Sequence, residues 1–135
     1  MDVRFAALAD YAVVDPQGRF NIVGLFSEIH VASFPAQVAG IHVALSFVAN
    51  ASEVGSVKSM HLVLQDADGK SLLAMDAQLG VPQPTRKGRP SLLNLCFGIH
   101  NLAIPAEGEY QLCVLVNGET KTVLEFAVLP VPKTA

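Results

Sequence analysis

The residues of this chain best suited to acid–base or metal chemistry are its histidines, at His30, His42, His61 and His100. None belongs to an HxH or HExxH motif, so a zinc site would have to be assembled from different strands. His42 and His61 interrupt alternating apolar segments, and we expect them to be neighbours on one outer surface if their strands pair. Structural roles are the favoured interpretation. The alternative is a small-ligand or metal-dependent enzyme that uses His42, His61 or His100.

The cysteines, Cys96 and Cys113, offer a nucleophile or a disulfide. A direct hairpin from strand 91–102 into strand 108–116 would place Cys96 opposite Cys113, although two free, buried thiols are the favoured interpretation. Cys96 and His100 share a strand face but are too far apart along it for a hydrogen bond. No Gly-x-Ser-x-Gly elbow occurs. The sequence therefore predicts no catalytic residue, no metal site and no cofactor.

A cluster of cations falls in the longest predicted loop, residues 81–90. The loop carries three prolines, and its basic residues are Arg86, Lys87 and Arg89. Such a segment is expected to be exposed and mobile. The three cations would suit an anion or an acidic protein partner, while a solvated loop is the simpler interpretation.

The overall charge excludes two classes of partner. The net charge is −3, and basic residues do not form the footprint that nucleic acids require. No segment approaches the roughly 18 consecutive apolar residues of a membrane-spanning helix. The first residues lack the basic and apolar regions of a secretory leader. We therefore expect a cytoplasmic protein that binds neither nucleic acid nor membrane.

Alternating apolar segments separated by turn residues must position all of these side chains. The pattern predicts strands at 3–14, 19–32, 41–49, 57–65, 71–79, 91–102, 108–116 and 120–129. No helical period competes with it. The sequence predicts one all-β domain over residues 1–135, an antiparallel β-sandwich of about seven to nine strands with an immunoglobulin-like Greek key.

Turn residues and apolar pairing predict the local registers. Asp15-Pro16-Gln17-Gly18 has the composition of a type I turn that joins the first two strands. A loop over 67–70 pairs Leu64 with Leu73 and Leu62 with Met75.

Asn117-Gly118 alone would indicate a two-residue turn, but that register sets Lys121 and Glu125 against core residues. A three-residue loop, Asn117-Gly118-Glu119, instead pairs Tyr110 with Phe126, Leu112 with Leu124 and Val114 with Thr122. We therefore predict the longer, bulged loop.

Two resemblances to known families accompany this pattern. Pro105, Gly108 and Tyr110, at the start of an alternating strand, resemble the tyrosine corner of immunoglobulin-like and fibronectin-III-like sandwiches, in which the phenol bonds upstream backbone. The segments FAALADYA (5–12), GRFNIVGLF (18–26) and FPA (34–36) are similar to a family of small uncharacterised bacterial proteins. That resemblance implies a bacterial, cytoplasmic, one-domain protein, and it supplies no activity or catalytic residue.

The apolar residues exceed what a two-layer core can hold. Hydrophobic residues make up 51% of the chain and charged residues only 16%, against about 25% charged in typical domains. Surplus apolar residues fall on supposed outer faces, at Cys113, Leu115, Val48 and Val63. Large exposed apolar patches usually mark interfaces. We therefore expect a non-enzymatic binding or assembly module that forms a homo-oligomer, most simply a dimer, through a sheet face. A subunit of a larger bacterial or phage-like assembly, with a different protein partner, is the other alternative.

Overall fold

A computed structural model describes residues 1–132, and its regular structure consists of β-strands and one short 3₁₀ turn at Ala51–Glu53. The strands are β1 (Asp2–Val14), β2 (Phe20–Leu25), β3 (Glu28–Val31), β4 (Ala36–Ala49), β5 (Val57–Asp66), β6 (Ser71–Gly80), β7 (Ser91–Ile104), β8 (Gly108–Val116) and β9 (Glu119–Pro130). Within the described residues, no helix is long and apolar enough to cross a membrane.

The strands form two packed sheets, which confirms the all-β sandwich. The first sheet has the order β2-β1-β4-β7 and the second the order β3-β9-β8-β5-β6. Inward-facing residues of both sheets form one core between them, because alternate residues of each strand point to the same face. Its largest fully buried side chains are Phe47, Phe126, Leu45, Leu64, Ile104 and Leu112.

One predicted strand, 19–32, is wrong because it is divided between the two sheets. β2 pairs with β1, whereas β3 pairs with β9, and the latter pairing is parallel. Gly24 lies just before the point where the chain changes sheets, and its φ of 72° is in the left-handed region that favours glycine. A Cβ atom at this position would lie only 2.5 Å from Oδ2 of Asp10. The sandwich is therefore mixed at this edge and not purely antiparallel as expected.

Both hairpin registers predicted in the second sheet are confirmed. Leu64 lies opposite Leu73, and Leu62 lies opposite Met75. On the other side of the sheet, Tyr110 lies opposite Phe126 and Leu112 opposite Leu124. In each case the apolar pattern selects the register that keeps charges out of the core.

The three-residue loop predicted between β8 and β9 is wrong, although the register that it was meant to explain is present. Val116 pairs with Glu119, so Asn117 and Gly118 form a two-residue turn with φ values of 50° and 81°. A bulge between Val114 and Leu115 then shifts the register and leaves Lys121 as the extra residue. The two-residue turn shifts the β8–β9 register by one residue, and the bulge shifts it back, so the tight turn and the predicted pairs are both present.

The Tyr110 hydroxyl donates a hydrogen bond to the backbone carbonyl of Ala106. This is the contact expected of the segment that begins at Pro105, and Gly108 opens β8 with a φ of 151°. The bond ties the loop that links the two sheets to the first residues of β8. The immunoglobulin-like strand order itself stays a prediction.

The outer half of the β1–β2 hairpin, residues 10–25, folds back over the outer face of the first sheet, and we call it the flap. β1 contacts β7 although β4 lies between them in the sheet. The ring centroids of Phe5 and Phe20 are 5.7 Å apart. Ala44, on the outer face of β4, is fully buried, and the small side chains of Ala7 and Ala9 beside it are also buried. The flap is thus a third layer over part of this sheet.

A chain of hydrogen bonds joins the flap to the sheet beneath it. Arg4 Nε donates to Ser46 Oγ at 3.1 Å, and the Ser46 hydroxyl donates to Asn94 Oδ1 at 2.5 Å. The Asn94 amide nitrogen then donates to the Gly18 carbonyl at 3.0 Å. In the part of the chain that the structure describes, no buried side-chain nitrogen or oxygen lacks a partner. The polar residues under the flap are therefore satisfied as burial requires.

The turn predicted at the flap tip is present, and Asp15 organises it. The Gly18 N–H donates to the Asp15 carbonyl at 2.9 Å, and the N–H groups of Gln17 and Arg19 donate to the Asp15 carboxylate at 2.9 Å. The Arg19 backbone bond is the largest cause that lowers the pKa of the Asp15 carboxyl below its ordinary value of 3.8. Ionised Asp15 therefore stabilises the folded turn.

We expect this stabilisation to be fully present above pH 3.8 and lost as pH falls through the lower folded-state pKa. Asp15→Asn removes the titration, so its stability relative to wild type should rise as the pH falls. Thermal unfolding between about pH 5 and about pH 2 measures this. The exposed Asp68→Asn variant is the control, and identical pH profiles for wild type and Asp15→Asn would contradict the expectation.

Candidate functional site

The two sheets leave an apolar cleft of about 220 Å³ between their neighbouring edges, β6 and β7. Both are edge strands, so side chains that point into the sandwich are covered on one side only. The residues around the cleft are Met60, Leu62, Met75, Asp76, Ala77, Leu79, Leu95, Cys96 and Phe97. This lining is suited to apolar contact, with few polar groups to orient a small ligand.

Strand alternation explains how the sequence builds the cleft. Met75 and Ala77 of β6, and Leu95 and Phe97 of β7, are partly buried against the main core. Each lies on the inward face of a strand that has a neighbour on one side only. The cleft is therefore the edge of the main core, where no further strand covers the inward side chains of β6 and β7.

β7 is the edge strand of the first sheet beside the cleft, and Asn101 near its end has a left-handed φ of 55°. Its fourteen residues, Ser91–Ile104, include no Asp, Glu, Lys, Arg or Pro. Natural sheets usually protect their edges with charges, prolines or short strands, because unpaired backbone groups can pair with another chain. The other edges are protected in these ways: β6 carries Asp76, β2 has six residues and β3 has four.

The polar side chains nearest the cleft do not point into it, because His61, Asp76 and Cys96 alternate with the inward residues of their strands and lie on the outer faces of the sheets. His61 Nδ1 and the Asp76 carboxylate are in hydrogen-bond contact, but 42% and 79% of their side chains are exposed. Burial raises the pKa of the Cys96 thiol, so the thiol and not the reactive thiolate prevails at neutral pH. The site favours binding over reaction.

The direct hairpin that would place Cys96 opposite Cys113 does not form, and the favoured interpretation of two free thiols is confirmed. β7 belongs to the first sheet and β8 to the second, so the segment that contains Pro105 crosses between sheets and does not close a hairpin. Both cysteines are free and partly buried.

The strands of His42 and His61 do not pair, because β4 and β5 lie in different sheets, so the condition for these histidines to be neighbours is not met. The structure instead brings His42 next to His100, with ring centroids 6.0 Å apart. His30 Nε2 lies 3.6 Å from Glu28 Oε2, on β3 at the far edge of the second sheet. Among the described residues, no group of three or more His, Cys, Asp or Glu side chains is placed to hold a metal ion.

Three of the four expected interface residues come together on the outer face of the second sheet. Val63 lies opposite Cys113, and Leu115 is the next outward residue of β8. Val123, opposite Cys113 and 39% exposed, completes this group, and its place followed from the register already predicted for β9. Val48 is separate from them, because β4 belongs to the first sheet.

The cationic loop joins β6 to β7, but none of its residues lines the cleft between them. Arg86, Lys87 and Arg89 are exposed, as the sequence predicts. Arg89 borders a wide, open depression of about 550 Å³ that also includes Asn50 and Pro84. The loop starts from a fixed point, because buried Val81 exchanges backbone hydrogen bonds with Gly55 and Ser56.

Comparison with known proteins gives a structural similarity and a family. No curated protein matches the chain. A solved structure of the Pseudomonas fluorescens alkylpurine DNA glycosylase AlkC, bound to DNA with an abasic site analogue, matches with a TM-score of 0.47 and 14% identity. The match covers 92% of this chain and 30% of the glycosylase chain, and at that TM-score it supports no inference. A family model matches residues 4–129, and the chain therefore belongs to the family of unknown function DUF6941.

Proposed function

We propose that this chain is a non-enzymatic assembly module that self-associates by pairing its β7 edge with β7 of a second copy. The observation that carries the proposal is an edge strand of fourteen residues without charge or proline, bordered by an apolar cleft. An added strand satisfies the open backbone groups, and its side chains cover the cleft.

A second copy is the occupant that fits this edge best. Two identical strands can pair antiparallel about a twofold axis, which is the commonest symmetry of soluble oligomers. Because β7 carries no charge, no like charges meet across the new pair, which would otherwise destabilise it. The inward side chains of the partner strand would continue the row formed by Leu95 and Phe97, which are covered on one side only.

The outer face around Val63, Cys113 and Leu115 is the competing surface. These side chains are half-buried, and polar neighbours border them, since Gln111 Nε2 donates to Gln65 Oε1 at 3.2 Å in the adjacent row. The backbone beneath them is already paired within the sheet on both sides. The face therefore offers less to a partner than β7 does.

Light scattering at micromolar concentration tests the proposal with matched variants. We expect wild type to have twice the 14.3 kDa chain mass. Leu92→Lys, at a β7 position that is 48% exposed, should reduce the mass to that of one chain, because edge lysines block strand pairing. Leu115→Glu, on the competing surface, should leave the mass unchanged.

Other outcomes would contradict or redirect the proposal. A wild-type monomer would overturn self-association, and dissociation by Leu115→Glu alone would move the interface to the second sheet. A monomer that recovers a defined partner from native lysate would favour the alternative of a subunit in a larger assembly. As a second readout, β7 amide hydrogens should exchange more slowly as protein concentration rises.

The setting we propose is the bacterial cytoplasm, where Cys96 and Cys113 would remain reduced. An immunoglobulin-like relationship, suggested by the bond from Tyr110 to Ala106, belongs to the same proposal.

A further inference from the structure

We propose that His42 and His100 form a two-imidazole site for one divalent transition-metal ion on the outer face of the first sheet. The β4–β7 register carries the first step of the argument. His42 lies opposite Gly98 and His100 lies opposite Gly40, so the two histidines are diagonal neighbours on one face. Their rings are nearly perpendicular, at 82°, with centroids 6.0 Å apart.

Gly98 leaves the space into which both rings point. A Cβ atom at Gly98 would lie 2.8 Å from His100 Nε2 and 3.2 Å from His42 Nε2. Two ring nitrogens therefore converge above a residue without a side chain. Any other residue type would put a carbon atom within 3.2 Å of both nitrogens.

A hydrogen bond selects the tautomer of His42 that could bind a metal. His42 Nδ1 lies 3.1 Å from the backbone carbonyl oxygen of Asp10. A carbonyl oxygen only accepts, so Nδ1 carries the proton and Nε2 presents its lone pair. Metal-binding histidines commonly use their second nitrogen in this way, with a backbone carbonyl as partner.

The donor atoms define the class of ion. Imidazole nitrogen suits zinc, nickel and copper, whereas calcium and magnesium prefer oxygen. The chain supplies two ligands here, and solvent would complete the coordination. His100 is exposed and His42 is partly so, which leaves the site open to an ion from solution. The Tyr11 ring, 5.1 Å from that of His42, borders the site on the flap side.

Calorimetric titration of metal-free protein with Ni²⁺ tests this site. We expect one Ni²⁺ ion to bind each chain. The affinity for Ni²⁺ should be at least about tenfold lower in His42→Gln and in His100→Gln than in wild type. Gly98→Ala keeps both imidazoles but fills the space between them, and should weaken binding as well. His61→Gln is the matched control, because His61 lies on the other sheet beside Asp76.

Histidine ring spectra with Zn²⁺ identify the coordinating atoms. The Nε2 signals of His42 and His100 should shift together on titration, while those of His61 should not. Wild-type affinity in both His42→Gln and His100→Gln would overturn the proposal, and so would the lack of saturable binding by wild type. Circular dichroism of each variant separates loss of the site from loss of the fold.

Discussion

Replacing Phe126 with alanine is expected to destabilise the protein by about 3–5 kcal/mol, the range for a large aromatic removed from a core. Phe126 is only 2% exposed. Its ring stacks on Tyr110 at a centroid distance of 5.8 Å and meets Phe26 edge-on at 6.3 Å. Phe26 belongs to the segment where the chain changes sheets, so the cavity would also loosen that crossing.

Urea denaturation of wild type and Phe126→Ala measures this loss. Phe5→Ala is the control, because Phe5 is 38% exposed and contacts the flap instead of the main core. Its loss should be about 1 kcal/mol, in proportion to the smaller apolar area it buries. Equal losses in the two variants would mean that the flap and the core contribute alike, contrary to expectation.

Replacing Ala44 with phenylalanine is expected to lift the flap off the first sheet. Ala44 is fully buried on the outer face of β4, between Ala7 of β1 and Cys96 of β7. A ring there has no room under the flap, and overpacking of this kind costs about 1–3 kcal/mol. Part of that cost should be relieved by moving residues 10–25 while the sandwich stays folded.

Limited trypsin digestion reports this movement through the bond after Arg19, at the flap tip. Cleavage there should be faster in Ala44→Phe than in wild type, while cleavage elsewhere stays unchanged. Ala74→Phe makes the same substitution at an exposed position of β6 and should have little effect. Uniformly faster digestion at all sites would indicate general unfolding instead of movement of the flap.

Local features of the fold could be predicted from the sequence because local chemistry decides them. Asp15 and Gly18 form their turn through bonds within five residues, and the β8–β9 register follows from which residues can face a core. Sheet membership is different, since it depends on competition among distant strands. The segment 19–32 has continuous strand character, and the sequence gives no sign that its second half pairs with β9.

In the candidate sites too, local composition could be predicted from the sequence, whereas the pairing of distant strands could not. The lack of charge across residues 91–104 is visible in the sequence, but it points to an interface only because β7 is an edge strand. His42 and His61 would be neighbours only if their strands paired, whereas β4 pairs with β7 and so places His42 beside His100. The flap escaped prediction because Ala7, Ala9 and Ala44, whose small size admits it, are equally compatible with an exposed face.

The parallel pairing of β3 with β9 has a consequence for folding during synthesis. All four strands of the first sheet lie within Asp2–Ile104, so that sheet can pair before β8 and β9 have been made. Glu28 is opposite Ala127, so β3 cannot pair until β9 has been made. A nascent chain that ends after Ile104 presents the apolar inner face of a finished sheet with only β5 and β6 to cover it, the kind of exposed surface that aggregates. We therefore expect the sandwich to close only after β9 has been made.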